Sequence, residues 1–134
     1  MQAAPPAPVV TQEIRITDAQ GHPRIILSAR DGTPTIQLLR GDDSPGATIS
    51  LDTAGRPAIR LANPAPGAPT ASLEIDDKGA HVKFDRPGGA SSYVFLNNAG
   101  GSGIVLIDAA GQRKAGIVLA PDGTISVQGI APTP

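Results

Sequence analysis

Turn signals recur along this 134-residue chain so often and so evenly that little except a run of short hairpins can accommodate them. Asp-x-x-Gly occurs at Asp18–Gly21, Asp43–Gly46, Asp52–Gly55, Asp76–Gly79, Asp85–Gly88 and Asp108–Gly111, and Asn97–Gly100 is the same motif with Asn. Shorter Asp-Gly turns stand at Asp31-Gly32 and Asp122-Gly123, and Asn63 to Gly67 makes one more. Asp or Asn at the first position accepts hydrogen bonds from the backbone two residues on and closes a type I turn. Glycine at the fourth takes a positive φ without a Cβ clash, and the bulge it forms returns the chain antiparallel. The ten turns begin 9 to 14 residues apart. That spacing predicts about eleven strands of ~5–6 residues each.

The segments between turns alternate in polarity. Ile14 and Ile16 flank Arg15, Ile36 and Leu38 flank Gln37, Ile49 and Leu51 flank Ser50, and Ile59 and Leu61 flank Arg60. Leu73 and Ile75 flank Glu74, Val82 and Phe84 flank Lys83, and Ile125 and Val127 flank Ser126. A period of two with one apolar face belongs to half-buried antiparallel strands, so these fourteen residues are the expected apolar interior. Ile25-Ile26-Leu27, Tyr93-Val94-Phe95-Leu96 and Ile104-Val105-Leu106-Ile107 are apolar on both faces and are expected to be covered on both. No helical period runs for ten residues, and Pro and Gly interrupt the windows where a helix would begin.

The repeat shows directly. Asp18-Ala19-Gln20-Gly21, Ile25-Ile26-Leu27 and Asp31-Gly32-Thr33 match Asp108-Ala109-Ala110-Gly111, Ile117-Val118-Leu119 and Asp122-Gly123-Thr124. The unit is a double hairpin, one four-residue turn followed by a tighter one. With two Phe, one Tyr and no Trp against 16 Gly and 14 Pro, the buried material must be aliphatic. A thin core repeated many times suits that supply better than one thick centre.

Three arrangements cover the apolar face of such a meander: an up-and-down barrel, three chains packed around a shared axis as a prism or triple-stranded shaft, and a sandwich. The barrel is the favoured expectation, because the first and last repeats are alike. Eleven strands sit badly with it, since closing an odd meander sets its end strands parallel. Short alternating strands joined by Asp-x-x-Gly turns with Pro or Arg following, as in Gly21-His22-Pro23-Arg24 and Gly55-Arg56-Pro57, resemble the shallow bacterial barrels of the β-flower fold over residues 13 to 129. That resemblance implies a shallow antiparallel barrel with an apolar interior strip, often behind a secretion signal or anchor. A weaker resemblance is to the trimeric β-rich shafts of phage tail fibres.

Little chemistry is evident. Net charge is −1, which gives no electrostatic attraction to nucleic acid or an anionic membrane. Cysteine is absent, which excludes disulfides and thiolate metal sites. No apolar run approaches the ~20 residues of a membrane helix. His22 and His81 each follow a turn glycine and read as solvated turn residues rather than metal ligands. Aspartates recur singly at turn starts, apart from Asp42-Asp43 and Asp76-Asp77, without the alternating oxygen ligands calcium needs. The Gly-rich stretch Asn97 to Gly103 leads into no helix and carries no lysine, so it is not a phosphate loop. No catalytic residue, cofactor or metal is expected.

Residues 1–12, rich in Pro and Ala, read as a linker, 13–129 as the β-repeat domain and 130–134 as a flexible tail. The linker suggests export to the bacterial cell envelope, periplasm or surface. Two functions follow as expectations. One is a non-catalytic binding module holding an apolar or lipid-like ligand in the barrel. The other is a structural shaft or assembly module, a homo-oligomer whose apolar face is consumed by self-association.

Overall fold

A computed structural model describes residues 1–129, and the expected tail at 130–134 lies outside them. Residues 1–11 carry no secondary structure and are exposed. The rest is an all-β antiparallel meander. Its strands are β1 (Glu13–Thr17), β2 (Pro23–Ser28), β3 (Thr35–Leu39), β4 (Pro45–Leu51), β5 (Pro57–Leu61) and β6 (Thr70–Ile75). They continue as β7 (Gly79–Asp85), β8 (Ser91–Asn97), β9 (Ser102–Ile107), β10 (Arg113–Leu119) and β11 (Ile125–Gln128). They form one sheet in chain order. Pro23, Pro45 and Pro57 stand at the first position of their strands, where a missing N–H costs the ladder least.

The sheet is open. Among the described residues each strand contacts only its neighbours in the chain, and β1 and β11 are not paired with one another. The closed barrel expected from the sequence, and implied by its β-flower resemblance, is not formed. The reason is partly topological: in an eleven-strand meander β1 and β11 run the same way, so closure would require a parallel pair.

Seven of the ten connections share one turn, in which the fourth N–H donates to the first carbonyl and the first N–H donates to the fifth carbonyl. They start at Asp18, Arg40, Asp52, Arg86, Asn97, Asp108 and Ala120. Where the first residue is Asp or Asn, its Oδ1 also accepts the third and fifth N–H groups: for Asp52, those of Ala54 at 2.8 Å and Arg56 at 2.9 Å. Gly55 then closes the turn at φ 77°, with nothing within 4 Å of where a Cβ would stand.

Several turns are placed differently from expectation. At Asp43–Gly46 the turn runs Arg40 to Asp43, and Asp43 itself takes the left-handed position at φ 62°, leaving Gly46 in β4. At Asp85–Gly88 the turn is shifted by one, to Arg86–Gly89. Asp122-Gly123 is no tighter turn: it ends a four-residue turn begun at Ala120, with Asp122 third. Asp31-Gly32 likewise closes on Ala29, at the start of a longer connection to β3. The tight member is Asp76–Gly79, where the Asp76 N–H donates to the Gly79 carbonyl across Asp77 and Lys78.

The turns on one rim are also tied together. The Asn98 N–H donates to the Lys78 carbonyl at 2.8 Å, and its side-chain amide to the Asp77 carbonyl at 3.0 Å. On the opposite rim Arg40 donates to the Ala62 carbonyl and Arg86 Nε to that of Gly67.

Candidate functional site

Register sorts the side chains onto two unlike faces. One carries a central row that crosses all eleven strands: Ile14, Leu27, Ile36, Ile49, Ile59, Leu73, Val82, Val94, Ile104, Ile117 and Val127. Every member is Ile, Leu or Val. A second row on the same face runs Ile16, Ile25, Leu38, Ala47, Leu61, Ala71, Phe84, Ser92, Leu106 and Ala115. The third runs from Ile75 through Ala80, Leu96, Ser102 and Leu119 to Ile125, with Leu51 opposite Pro57 ahead of it.

All fourteen residues expected as an apolar interior share this face, yet none is buried within the single chain. Twenty large apolar side chains on it are 39–66 % exposed. At roughly half exposure they present on the order of 1,500 Å² to solvent, several times the largest apolar patch of an ordinary monomer.

The polar face is the better covered one, which inverts the usual order. Its two buried apolar residues are Ala58, 8 % exposed, and Val105, 1 % exposed. Val105 stands opposite Tyr93 on β8 and Gly116 on β10. A Cβ at Gly116 would meet the Arg113 guanidinium at 2.9 Å, so the glycine makes room for that cation to lie against the sheet. Of the three stretches expected to be covered on both sides, Ile25-Ile26-Leu27 is half-buried on both faces, and the other two are covered on one. Tyr93 and Phe95 are half-buried on the polar face, while Val94 and Leu96 are exposed on the aliphatic one.

Depressions lie along the polar face, one of them about 540 Å³. That one is lined by Asp76, His81, Lys83, Tyr93 and Phe95, with the two rings 5.8 Å apart and tilted by 47°. His81 is no solvated turn residue. It lies inside β7 at 17 % side-chain exposure, its Nε2 3.7 Å from Glu74 and its Nδ1 3.9 Å from Asp76. His22 is solvated, 63 % exposed beside Asp18, and lies five strands away from His81. Among the described residues no three His, Asp or Glu side chains are grouped to hold a metal ion.

The aspartates do turn chemistry. Asp52, Asp76, Asp108 and Asp122 are held below the usual carboxylate range, first by the N–H groups of Arg56, Lys78, Gln112 and Thr124 respectively. At Asp18, lost hydration opposes the charge and is outweighed by bonds from the His22 N–H and Arg24. The Ser44 hydroxyl lowers Asp42 in the same way. Asp18 shows how one carboxylate serves twice: Oδ1 caps the turn, and Oδ2 accepts Arg24 Nη2 at 2.8 Å. Asp108 and Lys114 repeat the arrangement at 3.3 Å in the matching repeat.

Compared with protein-family models, with curated proteins and with solved structures, the chain finds no match.

Proposed function

We propose that this chain is a non-catalytic assembly module, an element of a shaft or scaffold whose aliphatic face is covered by further copies of the same chain. The unbroken aliphatic row from Ile14 to Val127 carries the reading, because it spans every strand and ten of its eleven members are exposed in the single chain. Its roughly 1,500 Å² is about twice what one partner contributes to a standard protein interface. A small apolar or lipid-like ligand would need a concave site enclosing most of its surface. The depressions described above lie on the other face, and the breadth of the aliphatic rows across every strand favours a copy of the chain as the occupant.

An environment-sensitive apolar dye tests this on the native protein. Assembled copies hide the aliphatic rows, so little dye fluorescence is expected until denaturant separates the chains. Strong, saturable dye binding to the native protein at micromolar concentration would overturn the reading.

A further inference from the structure

Along the strands from β4 to β10, the three aliphatic-face positions read small, branched, large in the direction of the chain, except that Pro57 takes the small position in β5. Examples are Ala71-Leu73-Ile75 in β6, Ala80-Val82-Phe84 in β7 and Ser92-Val94-Leu96 in β8. Because neighbouring strands are antiparallel, this one rule makes two combs. In the second row, large side chains stand on odd strands (Leu61, Phe84, Leu106) and small ones on even strands (Ala71, Ser92, Ala115). In the third row the phase is opposite: Ile75, Leu96 and Leu119 stand on even strands, Ala80 and Ser102 on odd. Like teeth therefore recur every two strands, ~9.6 Å apart.

From these combs we infer that three copies associate in parallel and in register about an axis running across the strands, forming a triangular prism with one sheet per wall. The inference rests on the self-association proposed above and adds copy number, direction and register. Rotation about such an axis preserves height, so the second row of one wall meets the third row of the next at the same strand level. There each tooth faces a gap: Phe84 of one copy meets Ala80 of its neighbour, and Ile75 meets Ala71. A slip by one strand sets tooth against tooth along the whole corner.

The central row fixes the number. In a prism it faces the axis, the point furthest from any wall, and needs bulk at every level. Flanking rows meet where walls converge and must interdigitate. In a two-sheet sandwich the separation is uniform, ~10 Å throughout, and gives no reason for a row without small residues between two rows that are half small. The central row has no small residue in eleven strands.

Disulfide trapping tests this, since the chain has no cysteine of its own. A double variant, Ala80→Cys with Phe84→Cys, places both thiols on β7. They lie ~13 Å apart along one strand and cannot bridge within a chain. Mild oxidation is expected to give a ladder that ends at a covalent trimer. The pair Ser102→Cys with Leu106→Cys on β9 should do the same if the first variant folds poorly. The mismatched pair Ala80→Cys with Leu106→Cys should give no trimer.

A ladder ending at dimer overturns the three-fold arrangement. Efficient trapping by the mismatched pair overturns the register, as does an absence of cross-links in variants that keep the oligomeric mass of the unmodified protein. A monomeric mass for the unmodified protein overturns the self-association reading itself.

Discussion

Truncating Leu73 separates what the chain does for its own fold from what it does for assembly. Leu73 sits in the central row on β6 and is 49 % exposed in the single chain. Burying a leucine fully is worth about 1.5–3 kcal/mol, so the chain itself realises about 1 kcal/mol and a covering partner supplies about 1 kcal/mol more. In a three-copy assembly, Leu73→Ala removes that second part three times. About 3 kcal/mol corresponds to roughly a hundredfold loss in the assembly constant.

Sedimentation over a dilution series reads that constant directly. Val105→Ala is the control, because Val105 is already 1 % exposed within the chain. It should cost the fold about 2 kcal/mol and leave the native assembly constant near its original value. If Leu73→Ala leaves the dissociation curve unmoved while lowering stability to denaturant, the aliphatic face does not mediate association and the argument fails.

Gly55→Ala should destabilise by about 1 kcal/mol through its backbone alone, since φ is 77° and no atom lies near the new methyl. Gly103→Ala should cost distinctly more in the same urea titration, because its Cβ would stand 2.5 Å from the Ile117 carbonyl oxygen. The turn carboxylates have folded pKa values below their unfolded ones, so their contribution is complete above the unfolded range near ~4 and is lost as pH falls through the folded values. Urea midpoints should therefore be level from pH 8 to 5 and fall below pH ~4; a midpoint that rises on acidification would contradict this. Replacing Asp18 with Ala frees Arg24 as well as the turn, and should lower the thermal midpoint more than Asp122→Ala, whose carboxylate holds Thr124 alone.

Strands were legible in the sequence because their signal is local. Alternation such as Ile36-Gln37-Leu38 assigns a face without knowledge of any neighbour, and the eleven strands fall where alternation and turn spacing place them. Turn identity was less legible. Whether Asp43 opens a turn or closes one depends on which carbonyl its N–H reaches, and that is set by the β3–β4 register, a property of two strands. The same holds for Asp122, third in its turn rather than first. His81 looked like a turn residue because its glycine, Gly79, lies in β7 after a two-residue loop. The combs were written in the sequence as Ala71-Leu73-Ile75 and Ala80-Val82-Phe84, but only register shows that their large ends alternate between rims. Openness was out of reach of periodicity, which says that a face is apolar and nothing about what covers it.

The claim on which the rest depends is that the aliphatic face is covered by copies of the chain. Light scattering on a size-exclusion column, applied to the unmodified protein at micromolar concentration, tests it most directly. A mass near three times the chain's 13.5 kDa is the expected result. A stable monomer would contradict the account, since it would leave the row from Ile14 to Val127 in water.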